Sequence, residues 1–160
     1  MPILTEIAIN ELIVDAKTIP DGLRMPSKPM SARNGHWQKG WEFDCDSGNR
    51  FVVKIRQACT NPMNFSVILG YMIPATYTVF RLRRYNGKSH FHTNTLEGEV
   101  PFYDYHIPIA TERYQVPGFS EDHFAQKTDR FHDIASAIDC LVNDCGFRSP
   151  FAGTPLFPNL

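Results

Sequence analysis

Residues 41–56 read WEFDCDSGNRFVVKIR. Trp41, Phe43 and Cys45 alternate with Glu42, Asp44 and Asp46. Beyond Ser47-Gly48-Asn49, Phe51, Val53 and Ile55 alternate with Arg50, Val52, Lys54 and Arg56. A period of two on both sides of a turn-forming tripeptide specifies a β-hairpin with one buried face. A two-residue loop would set Asp44 against Phe51 and bring charge to the core face. A three-residue loop, Ser47-Gly48-Asn49, pairs Asp46 with Arg50, Cys45 with Phe51, Phe43 with Val53 and Glu42 with Lys54, and keeps both faces consistent. It places Asn49 where a left-handed residue is wanted.

The same period runs on downstream. Phe65, Val67, Leu69, Tyr71 and Ile73 predict a strand over 64–73, and Pro74-Ala75 turns the chain. A strand over 76–85 puts Thr78, Phe80 and Leu82 on one face and Tyr77, Val79, Arg81, Arg83 and Tyr85 on the other. A fifth strand over 102–111 sets Tyr103, Tyr105, Ile107 and Ile109 against Asp104 and His106, and Pro108 marks an edge or a bulge. Upstream, the i, i+4 spacing of Ile3, Ile7 and Leu4, Ala8, Leu12 predicts a helix over 3–16. Residues 17–36 form a Pro/Gly-rich loop. After a loop over 115–127, Phe131, Ile134, Ile138, Leu141 and Cys145 make one helical stripe over 129–145. Thr128 or Asp129 caps its start and Gly146 its end. Residues 146–160 are an extended tail. The expectation is a single α+β domain spanning 1–160: an N-terminal helix, an antiparallel meander of five strands, and a C-terminal helix packed on one sheet face.

Composition bounds the function. The chain has 160 residues, a net charge of −1 and 42% hydrophobic residues, enough for a packed core and too neutral for a global nucleic-acid field. No apolar run approaches the roughly 18–20 residues of a membrane helix. The opening MPILTEIAINEL lacks the basic start and cleavage site of a secretion signal. Cytoplasmic residence with reduced cysteines is therefore expected, and no membrane partner. Cys45, Cys59, Cys140 and Cys145 lack C-x-x-C spacing and read as buried apolar residues. There is no P-loop, GxGxxG or GxSxG. His123 and His132 read as structural or solvent-exposed, and Trp37 and Trp41 as core or lid anchors. Arg50 and Lys54 read as surface partners of Glu42, Asp44 and Asp46.

Chemistry concentrates in Arg81–Tyr114, RLRRYNGKSHFHTNTLEGEVPFYDYHIPIATERY. Strand parity assigns Lys54, Arg56, Arg81, Arg83, Tyr85, Asp104 and His106 to the open sheet face. Lys88, His90 and His92 project together if their segment is extended. Imidazoles beside cations are what metal-free cleavage of RNA needs: a neutral base, a protonated acid and positive charge at the phosphorane. His92 and His106 are the acid–base pair in this reading. Arg83, Arg113 and Lys88 hold phosphate, Asn94 orients, and Arg81, Tyr85 and Tyr114 complete the substrate site. No cofactor is required. A second reading makes His90, His92 and His106 the ligands of a divalent transition metal with one position left for water. With Glu97 the spacing HxHx4E is similar to the first metal-binding motif of cupins, without its flanking glycines or a second motif. A third reading is a non-enzymatic module whose sheet face or edge strand binds a protein such as an antitoxin, or a phage or defence factor.

The order WEFDCDSGNRFVVKIRQ (41–57), VFRLRRYNGKSHFHTN (79–94), FYDYHIPIATERY (102–114) and a helix ending DCGF (144–147) resembles uncharacterised small bacterial and archaeal proteins, some of them toxin-like partners in toxin–antitoxin pairs. His92-Thr93-Asn94 fits their His-x-Asn element. His106 matches the first histidine of a His-x-His element whose second is Pro108 here. The resemblance implies nuclease-like activity and an antitoxin-type partner. A helix before an antiparallel meander also looks like the barnase–RelE ribonuclease fold class, at the level of fold alone.

Overall fold

The computed structural model describes residues 2–24 and 31–150. Its elements are α1 (Glu6–Val14), β1 (Lys17–Thr18), β2 (Ser31–Arg33), β3 (His36–Asp44), β4 (Arg50–Ala58), β5 (Phe65–Met72) and β6 (Val79–Asn86). A 3-10 turn (Thr95–Glu97), β7 (His106–Pro108), α2 (Glu112–Gln115), β8 (Ala125–Lys127), α3 (Ile134–Asp144) and β9 (Phe147–Arg148) follow. Strands β2 to β8 form one antiparallel sheet in chain order. A parallel pair joins β1 to β9. The α+β expectation holds, with α3 packed on β5 and β6.

The hairpin keeps its faces but shifts its register by two residues. Phe43 pairs with Phe51 and Trp41 with Val53. The three-residue loop is Asp46-Ser47-Gly48: Cys45 N donates to Asn49 O at 2.8 Å, and Gly48 N to Cys45 O at 2.9 Å. Gly48, with φ of +91°, takes the left-handed position at no steric cost. Asn49 instead donates its side-chain amide to Asp15 Oδ2 at 2.9 Å. Arg50 bonds Asp44 and Glu42 across the pair.

Several boundaries move. The meander has seven strands rather than five, the strand expected over 102–111 is regular only as β7, that expected over 76–85 is β6, and α1 is shorter than the expected 3–16. The loop expected over 17–36 contains β1 and β2, and the tail expected over 146–160 begins with β9; residues 151–160 lie outside the described residues. Strand β7 is interior, because 125–127, expected as loop, pairs with it as β8. Helix α3 starts at Ile134 rather than Asp129. Asp133 accepts from Ser136 N and Ser136 reciprocates, a capping box stronger than anything Thr128 or Asp129 offers. Gly146, at φ +74°, ends the helix as expected.

The face assignment changes most. Ser66 to Leu69 pair with Asn86 back to Arg83, but Gly70 pairs with Arg81, so Leu82 is an extra residue in β6. A bulge shifts the strand's phase. Arg81 stays on the open face, Arg83 and Tyr85 turn to the helix face, and Arg84 and Asn86 take their places. Tyr85 is fully buried and its hydroxyl donates to Asp144 Oδ2 at 2.8 Å. Gly70 sits opposite the bulge, where a Cβ would lie 2.3 Å from Val79 Cγ1 and 3.0 Å from Val52 Cγ1.

Lys17 is 1% exposed. Its Nζ lies 2.8 Å from Leu12 O, 3.0 Å from Ile13 O, 2.8 Å from Asp15 O and 2.9 Å from Cys145 O. These are the unpaired carbonyls at the C-terminal ends of α1 and α3, where a cation also complements the helix dipole. The Phe51 ring lies beneath it, 4.4 Å from Nζ to the centroid. Lys17→Met keeps the stem and removes the ammonium, leaving buried carbonyls without a donor. It should lower unfolding free energy by about 3 kcal/mol, read as a lower urea midpoint at unchanged slope. A loss below about 1 kcal/mol would mean that water replaces the ammonium.

Candidate functional site

Residues 88–104, between β6 and β7, fold back over the open face as a narrow ribbon. His92 N donates to Phe102 O at 2.8 Å and Phe102 N to His92 O at 2.9 Å. Side chains alternate across such a ribbon, so His90, His92 and Phe102 face the sheet and Phe91 and Tyr103 face solvent. The inward set lands on His106, which pairs with Asn86 at the end of β6. His92 stacks on His106 with centroids 5.3 Å apart and planes at 28°, and His90 meets it edge-on at 5.1 Å and 85°.

Asn94 holds this arrangement. It is 3% exposed. Its carboxamide pairs like a strand residue with the edge of β8, Oδ1 accepting from Ala125 N at 2.9 Å and Nδ2 donating to Ala125 O at 2.8 Å. That pairing fixes Oδ1, so His92 Nε2, 3.0 Å away, must carry the proton and donate. The basic lone pair of neutral His92 is then on Nδ1. Burial lowers its pKa, with the Asn94 bond opposing.

His106 is fixed still more tightly. It is 1% exposed. Nδ1 donates to Asp104 O at 2.8 Å. Asn86 Oδ1 accepts from Ser66 at 2.6 Å, so its amide nitrogen turns to His106 Nε2 at 3.4 Å. Both ring nitrogens are engaged and the ring is neutral. Burial pushes its pKa down to about 4, aided by His90, His92 and Arg84.

Other sequence-predicted residues scatter. Arg83 and Tyr85 lie on the far face, near Asp144 and Cys145. Arg81 donates to Glu121 Oε1 at 3.1 Å and reaches Asp122 at 3.5 Å. Arg113 pairs with Glu97, whose second oxygen takes the hydroxyl of buried Tyr114. Glu97 is therefore turned from the histidines, and HxHx4E does not converge. Lys88 is exposed. Among the described residues no group of three or more His, Cys, Asp or Glu side chains is arranged to hold a metal ion.

Several groups given no part in the site from sequence lie beside it, His123, read there as structural or solvent-exposed, among them. His123 joins the cluster 5.8 Å from His92, with its Nε2 3.1 Å from Thr95 Oγ1. Arg84 Nε lies 2.5 Å from the carboxylate of Asp122, an ion pair out of hydrogen-bond alignment. Asp122 is fully buried, and burial raises its pKa against the two arginines. Lys127 lies over Phe102, 5.6 Å from the centroid. The bulge that brings Arg84 and Asn86 here leaves no mark in the hydropathy of β6. No family model, curated protein or solved structure matches the chain.

His106 makes the fold acid-sensitive. Its folded pKa of about 4 lies below the ordinary 6.5, so between these values the unfolded chain binds the proton and the native state does not. Stability is lost as pH falls from about 6.5 to 4, by up to about 3 kcal/mol from this group. His106→Gln should flatten denaturation midpoints over that window. An unchanged profile would place the acid sensitivity elsewhere.

Proposed function

We propose that the chain is a toxin-like ribonuclease of the cytoplasm that cleaves RNA by metal-independent acid–base chemistry. The observation that carries this is the ribbon laid over β7, which sets His90 and His92 against one neutral, buried imidazole. His92, its Nε2–H held by Asn94, is the general base at Nδ1. It takes the proton of the 2′-hydroxyl as that oxygen attacks phosphorus. His90, exposed and edge-on to His106, is the acid, giving its proton to the departing 5′-oxygen. The products are a 2′,3′-cyclic phosphate and a 5′-hydroxyl end. Lys88 and Lys127 flank the ribbon and supply charge for the phosphorane. His106, expected from sequence to be the second proton carrier, becomes the ring that positions the other two.

The occupied nitrogens favour this reading over a metal site. A metal held by His90, His92 and His106 would need His106 to surrender Asp104 O or Asn86, and His92 to bind through Nδ1. The resemblance to toxin-like proteins supports the biological setting, in which a protein antitoxin would be the natural partner. The four free cysteines fit a reducing compartment.

The test is cleavage of single-stranded RNA in EDTA. Wild type should cut and leave cyclic phosphate ends, and His92→Ala and His90→Ala should each lose at least about a hundredfold. Activity that disappears in EDTA and returns with a divalent metal would overturn the mechanism. No cleavage under either condition would overturn the enzymatic reading.

A further inference from the structure

We infer that the solvent face of the ribbon is a stacking platform for an unpaired nucleobase of single-stranded RNA, with Phe91 and Tyr103 as its rings. This deepens the ribonuclease reading and rests on it. Phe91 is 70% exposed and Tyr103 40%, unusual for large rings beside a buried site. They neighbour one another across the ribbon, flanking the His92–Phe102 bridge, with centroids 5.0 Å apart and planes at 67°. At that angle neither ring covers the other, and each keeps a face for a third ring.

The alternation that sends Phe91 outward sends His90 and His92 inward. The aromatic face and the imidazoles are thus two sides of one two-stranded element. Exposed cations border it: Lys88 opens the ribbon and Lys127 lies over the ring of Phe102. Aromatic rings interleaved with cations suit a nucleic-acid strand, since bases stack and phosphates pair with ammonium groups. A strand in a duplex keeps its bases stacked on each other, so only an unpaired base can reach Phe91. Arg81, Arg84 and Arg113 are bound by carboxylates, so stacking must contribute much of the affinity.

The experiment uses an uncleavable ligand, a short single-stranded 2′-O-methyl oligonucleotide carrying fluorescein, and an abasic oligonucleotide of equal length. Anisotropy at low salt should show tighter binding of the base-bearing strand to the full chain. Phe91→Ala should weaken that binding by about tenfold or more and leave the abasic strand unaffected. Phe91→Trp should bind normally, with its added emission quenched on binding. Equal affinity for both strands, or wild-type affinity in Phe91→Ala, overturns the platform. No binding of any oligonucleotide overturns it too and assigns the ring pair to a protein surface. Phe91 is exposed, so a folding defect is not expected, and an unchanged melting temperature checks this. The two ideas separate cleanly. Phe91-dependent binding without cleavage of ordinary RNA upholds the platform and removes the enzyme. His92-dependent cleavage indifferent to Phe91 does the reverse.

Discussion

One extra residue in β6 sets the relation between core and site. Side chains of a strand alternate with a period of two, so inserting Leu82 opposite the Leu69–Gly70 step inverts every assignment that follows. Without the bulge, Arg83 and Tyr85 would face outward with Arg81, and Arg84 and Asn86 would be forced under α3. With it, Tyr85 enters the core and meets Asp144, and Asn86 reaches His106. The bulge needs an accommodating partner strand. Gly70 provides it, because Val79 and Val52 close over the space a Cβ would fill. The outward pair Arg81 and Arg84 then converge on Asp122, a fully buried carboxylate that could not stay ionised alone. The backbone irregularity and the buried ion cluster are one construction.

Much of the fold is legible because its signals are local. The hairpin is written in alternating residues with a glycine in the turn, α3 in an apolar stripe that ends at Gly146, and β5 in five apolar residues at even spacing. The shift of the hairpin register by two leaves every face unchanged, so alternation alone could not detect it; the glycine decides, because Gly48 adopts φ of +91° more cheaply than Asn49 would. What was not legible is non-local. Strand β8 is three residues long and exists because β7 offers an unpaired edge. Asp133 caps α3 through Ser136, a pairing without the Glu or Gln that usually announces a capping box.

The same distinction runs through the site. That His90, His92 and His106 belong together follows from parity plus a fold-back of the connection, and the ribbon supplies the fold-back. Their roles could not follow, because roles depend on burial and on which nitrogen is taken. His106 looks in sequence like any titrating histidine, yet Asp104 O and Asn86 hold both its nitrogens. His123 falls in a stretch without periodicity and enters the cluster only because β8 returns the chain beside Asn94.

Asn94 joins these levels. An edge strand exposes unpaired amide and carbonyl groups, and a carboxamide offers both complements at once from separate atoms in one plane, as a peptide group does. By pairing with Ala125 it covers the edge of β8, pins the ribbon over β7 and sets the His92 tautomer. An aspartate there would lose the donor to Ala125 O and place a negative charge beside His92, raising the pKa that burial lowers. A serine would be too short to make both bonds. The constraint that closes the sheet therefore also selects the protonation state of the imidazole above it. Structure and chemistry at this position cannot be varied independently.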